Sequence, residues 1–264
     1  MFFRLNSWAL GFLLFTVVLG ATALGVAVGR RFRHLKDDLR EPFGVLQAAL
    51  LGVVGLILAF GLALAVGRYE SRREAVVDEA NAIEATYLRA QTLAEPVRSR
   101  SLALLTRYTD TRIALSSAVP DSPAARQIVA DGEELLHELW ALGGQALDAA
   151  PIDSAPRLYI ESLNETIDMS TVRLSALDNR VPGPVLALEV LGAAFAMGLL
   201  AVYLSVLGRG VAAVFLGSIL VTLLLLVTFD LDRPTRGLIV VPNTALTDLR
   251  ASMDLPPAAS APTG

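Results

Sequence analysis

The run PFGVLQAALLGVVGLILAFGLALAVG, from Pro42 to Gly67, contains no charged side chain. It exceeds the roughly 20 apolar residues with which an α-helix crosses a bilayer. Helices buried in a modest soluble globule do not need such length, so the run reads as a membrane span of about Phe43–Val66. Three further stretches share its character. Nothing is charged between Arg4 and Arg30 or from Gly210 to Phe229, and the stretch from Val181 to Gly208 holds one acid, Glu189. These predict spans of about Trp8–Val28, Val185–Val206 and Val211–Phe229. The expected fold class is an all-α membrane protein, with four transmembrane helices as two hairpins and a helical soluble insert between them.

Composition agrees. Of 264 residues, 54 % are hydrophobic and only 18 % charged, against about 25 % charged in soluble domains. The net charge of -4 lacks the basic footprint of a nucleic-acid binder, so the lipid bilayer is the first partner and nucleic acid is not one. The absence of cysteine excludes disulfides, thiolate zinc sites and iron–sulfur clusters. The competing reading of the first span is a cleaved signal peptide, because Ala21-Thr22-Ala23 has the form of a cleavage site. The apolar run continues to Val28, beyond the usual h-region of about 7–15 residues, so the segment is expected to stay.

The spans divide the chain into residues 1–29 (N-terminus and first span), 30–41 (a basic hairpin loop), 42–67 (second span) and 68–180 (the soluble insert). Residues 181–229 hold the third and fourth spans, 230–254 a juxtamembrane segment, and 255–264 a tail expected to be disordered. An even number of spans places both termini and the insert on one side. The loop carries Arg30, Arg31, Arg33, Lys36 and Arg40, but Arg4, Arg68, Arg72, Arg73, Arg173, Arg180, Arg233 and Arg236 crowd the other side. Charge alone therefore leaves the orientation open.

The insert reads as helical throughout. Arg68 continues the second span without a breaker, and Val76, Ala80, Ile83 and Tyr87 recur at helical spacing until Glu95-Pro96. Pro96 suits the first turn of a helix through Leu104, Leu105, Tyr108 and Arg112 to about Ser116. Asp121-Ser122-Pro123 is a capped start for a helix expected to end at Gly143-Gly144. A further helix is expected from about Pro156 through Tyr159, Leu163, Ile167 and Leu174, before Asn179–Pro184 breaks the chain. The insert carries 12 arginines against 18 acids, a net charge of -6, which reads as a solvated bundle surface, or alternatively an acidic binding face.

Catalytic chemistry has few candidates. His34 lies among arginines. His137 shares a helix face with Glu133 and Glu134, a spacing fit for a metal, but an exposed polar stripe explains it more simply. Phosphate-binding glycine loops, zinc-protease helices and nucleophile elbows are missing, so no enzyme, metal or cofactor is expected. Span glycines such as Gly11, Gly20, Gly52, Gly55, Gly61, Gly192 and Gly217 fit close helix packing in lipid. Trp8 and Tyr69 suit belt anchors. Glu189 is a candidate intramembrane functional acid, with snorkelling to the nearby interface as its alternative.

On the second span, Gly44, Ala48, Gly52, Leu56 and Phe60 recur every four residues, small at one end and bulky at the other. In a ring of subunits such a stripe would line a pore with an apolar constriction. Its alternative is a small-residue packing contact at Ala48 and Gly52, with Leu56 and Phe60 facing lipid.

Several motifs carry a family resemblance: Ala59 to Arg73 with Arg68, then Val77-Asp78-Glu79-Ala80-Asn81-Ala82-Ile83 and Tyr87-Leu88-Arg89-Ala90. Others are Tyr159 to Asp168, Asn179-Arg180-Val181-Pro182, and Asp230-Leu231-Asp232-Arg233-Pro234 continuing to Ile239. Over about residues 30–252 the chain resembles the bacterial bestrophin-like family, and more distantly the bestrophin anion channels. The resemblance implies a multi-pass protein of the bacterial inner membrane, a homopentamer with cytoplasmic termini and insert. It also implies a central pore for small anions lined by the second span. Matching the family's juxtamembrane arginine to Arg68 puts Gly52, Leu56 and Phe60 at the neck. Gly52 departs from the bulky residue usual there, which leaves either a wider neck or no conducting pore. The acidic calcium clasp of the animal channels has no counterpart after the fourth span, so no calcium site is carried over.

Two function classes follow: an oligomeric channel restricted at Gly52, Leu56 and Phe60, and a non-conducting membrane sensor or scaffold whose insert binds a ligand or partner. A membrane enzyme is a distant third.

Overall fold

The computed structural model describes residues 7–32, 40–120, 122–208, 210–233 and 237–256. Every regular element among them is helical: α1 (Ser7–Arg31), α2 (Arg40–Ala90), α3 (Val97–Ser117), α4 (Pro123–Ala149), α5 (Ser154–Asp178), α6 (Gly183–Val206), α7 (Val211–Leu231) and α8 (Thr244–Ser252). Arg4, Arg33, His34, Lys36, Arg209, Pro234, Arg236 and the tail from residue 257 lie outside the described residues. Four helices are long and apolar enough to cross a membrane, and each contains one of the expected spans. The described residues form two compact units. One runs to Tyr69 and resumes from Arg180 to Val240; the other comprises Glu70–Asn179 and the residues from Val241 onward.

In the membrane unit, small residues let helices approach closely. A Cβ added at Gly25 of α1 would overlap the Gly198 carbonyl oxygen of α6, and one at Gly29 would lie 2.5 Å from the Val202 oxygen. With little hydrophobic drive between helices in lipid, such contact supplies the dispersion that joins them. The hydroxyls of Thr22 and Ser218 share a buried 2.7 Å hydrogen bond between α1 and α7. Leu10, Leu14 and Val18 pack with Ala193, Met197, Leu225 and Phe229 in the core. Trp8 is exposed, while Tyr69 packs against that core.

In the other unit, Ile83 of α2, Leu105 and Tyr108 of α3, Leu139 of α4, and Tyr159 and Leu163 of α5 are wholly buried together. The Ser122 hydroxyl caps α4 by accepting from the Ala125 N–H at 3.0 Å, with Pro123 in the first turn. This is the start the sequence predicts. Two expectations change. Helix α4 does not stop at Gly143-Gly144 but continues to Ala149: Gly143 is buried, and a Cβ there would meet Ile160 at 3.0 Å, so this glycine serves the α4–α5 contact rather than an end. Within the segment expected only as juxtamembrane, α8 forms and buries Leu246 and Leu249, followed by Met253 just beyond its end, in the bundle core. Its nine residues are too few to show a convincing apolar period by themselves.

Candidate functional site

An α-helix advances about 100° per residue, so a four-residue repeat drifts by about 40° at each step. The stripe on α2 drifts accordingly. Gly44 faces α6, where an added Cβ would lie 2.8 Å from the Tyr203 hydroxyl, and Phe43 and Tyr203 rings stand 6.0 Å apart. The stripe is thus not one continuous face, and Gly44 leaves it for a helix contact. Gly52, Leu56 and Phe60 stay together on the outward side. Leu56 is 57 % and Phe60 63 % exposed, and a Cβ at Gly52 would meet nothing within 4 Å. On the opposite side, Val54, Leu58, Gly61 and Ala65 are buried.

That buried side receives Glu189. Its side chain is 1 % exposed and does not snorkel. It points at Gly61, where an added Cβ would coincide with the Glu189 Oε1 atom. Both carboxyl oxygens lack a hydrogen-bond partner among the described residues. Only glycine at position 61 leaves room for this group.

The remaining motif residues divide between structural and surface positions. Asn81 is exposed on α2, and Arg68 is half-buried. Asp232 accepts the Val181 N–H at 2.9 Å, and Asp230 accepts the Ile239 N–H at 2.8 Å. A Cβ at Gly237 would sit 2.7 Å from Asp230 Oδ2, which explains the glycine. Both acids therefore organise main chain beside the fourth span. Arg233 is buried, and Pro234 lies outside the described residues. Glu133, Glu134 and His137 are all exposed on α4, and no three acidic or imidazole groups converge on a metal-sized site among the described residues.

Glu79 has the most constrained surroundings. Arg112 Nε lies 2.8 Å from its Oε1, Arg173 Nη1 pairs with its Oε2, and the Tyr108 hydroxyl donates to Oε1 at 3.3 Å. All four side chains are at most 2 % exposed. Arg173 also donates to the Arg112 carbonyl at 3.1 Å and the Ser116 hydroxyl at 2.8 Å, and the Arg112 guanidinium stands 5.4 Å above the Tyr108 ring. Burial pushes the Tyr108 hydroxyl up to about 12, with Arg112 opposing the shift. Two guanidinium groups against one carboxylate leave the cluster with one excess positive charge. Sequence reading marks Glu79 as a motif residue without assigning it partners. The available signal is a charge at an apolar position: Arg112 follows Leu104 and Tyr108 at four-residue steps, and Arg173 continues Tyr159, Leu163, Thr166 and Ser170 on the buried side of α5.

A separate polar groove of about 510 Å³ runs between α3 and α4, lined by Arg107, Asp110, Thr111, Asp131, Glu134, Leu135 and Glu138.

The Bestrophin-like domain matches residues 13–246. The chain belongs to the Bestrophin-like family. This bestrophin-like chain is similar in fold to a bacterial bestrophin homologue from Klebsiella pneumoniae, with a TM-score of 0.67 and 12 % identity over 90 % of this chain and 96 % of that one. A tyrosine-to-alanine variant of that homologue gives 0.65 and 13 % over 89 % and 97 %. A structure described as a membrane protein with a glycine-to-alanine substitution gives 0.66 and 14 % over 89 % and 97 %. No curated protein sequence matches. The protein is therefore an integral membrane protein of bestrophin-like, all-helical fold.

Proposed function

We propose that this bestrophin-like protein is an oligomeric channel for small anions and not an enzyme, with Gly52, Leu56 and Phe60 of α2 forming its apolar neck. The observation that carries the reading is the outward face of α2: two large apolar side chains stand more than half exposed while the opposite face is buried. In a ring of copies, that face would surround an axial path, and an apolar constriction there would gate by dewetting. The family supports a pentamer in the bacterial inner membrane, with termini and insert in the cytoplasm. Arg68 and Asn81 are then juxtamembrane family positions on α2, Arg68 at the end of its membrane-spanning part.

Because the chain has no cysteine, single cysteines at positions 52, 56 and 60 test the reading cleanly. Charged thiol reagents should alter the current of the Leu56→Cys and Phe60→Cys channels. Modification that leaves their current unchanged would place these residues against lipid.

The second reading, a non-conducting sensor or scaffold, draws on the α3–α4 groove, where Asp110 already pairs with Arg250 and Asp131, Glu134 and Glu138 remain to suit a cationic ligand. Retained binding by a protein that never conducts would favour it.

A further inference from the structure

Glu189 raises a question that the channel reading does not answer. An ionised carboxylate is an acceptor with two oxygens to satisfy, and leaving it unsatisfied in an apolar interior is costly. Here both oxygens are buried without a partner, on a helix packed within the membrane unit. Among the described residues, Trp8–Gly29 of α1, Pro42–Gly67 of α2 and Val211–Phe229 of α7 contain no titratable side chain, and the remaining titratable group on α6 is Tyr203. The nearest charge along α2 is Arg68, about two helical turns beyond Gly61.

A metal ion does not fit, because hard cations require several oxygen ligands and no group of three acids or histidines converges among the described residues. A proton does fit, since it removes the charge and turns one oxygen into a donor. We propose that the notch at Gly61 and the carboxyl of Glu189 form a proton-binding site in the membrane unit, occupied while the side chain is seated against α2. Losing the proton requires the carboxyl to leave the notch, so occupancy is tied to the packing of α6 on the helix that carries Leu56 and Phe60. The site does not depend on whether ions cross the protein.

Infrared spectroscopy of the full chain in phosphatidylcholine vesicles at about pH 7, well above the ordinary carboxylate range of about 4, tests the site directly. The wild-type minus Glu189→Gln difference should contain the carbonyl stretch of an unionised carboxyl. A difference containing only ionised-carboxylate bands would overturn the proposal. Gly61→Ala fills the notch, and in protein that elutes like wild type it should convert the unionised band to carboxylate bands. An unchanged band in that variant would show that the notch does not hold the proton. Should Gly61→Ala fail to fold, the Glu189→Gln comparison still decides.

Discussion

Arg112 and Glu79 meet inside the helical bundle, Nε 2.8 Å from Oε1, with side chains only 2 % and 0 % exposed. Arg173 takes the other carboxylate oxygen, so one acid on α2 fastens α3 and α5. Burying such a group is costly, and replacing the whole cluster by apolar residues would not necessarily destabilise the fold. Removing one member alone is different, because it strands the others.

Glu79→Ala leaves two buried guanidinium groups without their counter-ion and should destabilise the protein by about 3–5 kcal/mol. Asn81→Ala, two residues along the same helix but exposed, should change stability by about 0.5 kcal/mol or less. Thermal unfolding of both purified variants checks the contrast; equal effects would contradict the buried cluster.

Tyr108 gives the same cluster a pH signature. Its hydroxyl is raised from 10.0 to about 12 by burial, so the folded state favours the neutral phenol. That stabilisation is fully present below about pH 10 and is lost as pH rises through about 12, amounting to roughly 3 kcal/mol. Tyr108→Phe should flatten alkaline destabilisation in this window, measured as unfolding midpoint against pH. A variant with the wild-type slope would refute the assignment.

The membrane unit offers a pair of glycines with opposite expectations. Gly25→Ala forces a Cβ onto the Gly198 backbone, whereas Gly20→Ala meets nothing within 4 Å. Gly25→Ala should lower the melting temperature of the detergent-solubilised protein and separate α1 from α6. Gly20→Ala should be neutral within one chain, so a loss of oligomer with an unchanged monomer fold would mark position 20 as a subunit contact.

Helix α8 is held by apolar burial more than by charge. Leu246 is fully buried, so Leu246→Ala should cost about 2–4 kcal/mol. Arg250, although 2.8 Å from Asp110 and 2.7 Å from Asp254, is a partly exposed pair worth at most about 1 kcal/mol. Limited proteolysis after residue 241 should accelerate in Leu246→Ala and barely change in Arg250→Ala. A fragment ending at residue 180 lacks these core side chains and should be less stable than one that includes α8.

What the sequence made legible follows from the range of the forces involved. The four spans were readable because lipid demands long uncharged helices, and the Ser122-Pro123 start because capping is local. Gly143 misled because a glycine at a helix contact and one at a helix end look alike until the neighbour, here Ile160, is known. Gly44 was misplaced because an exact four-residue repeat drifts around a helix. The partners of Glu79 are distant in the chain, 33 and 94 residues away for Arg112 and Arg173, and Gly61 is likewise far from Glu189, so only the unlikely residue type at a buried position points to either arrangement. Position 61 was legible as a packing glycine, but not as the one facing a carboxyl.

The channel reading meets its most direct test in planar-bilayer recording from the purified, intact oligomer. Ion currents should appear, and Phe60→Ala should increase them by widening the neck. Repeated absence of current from an oligomer of verified integrity would contradict conduction through α2 and favour the sensor or scaffold.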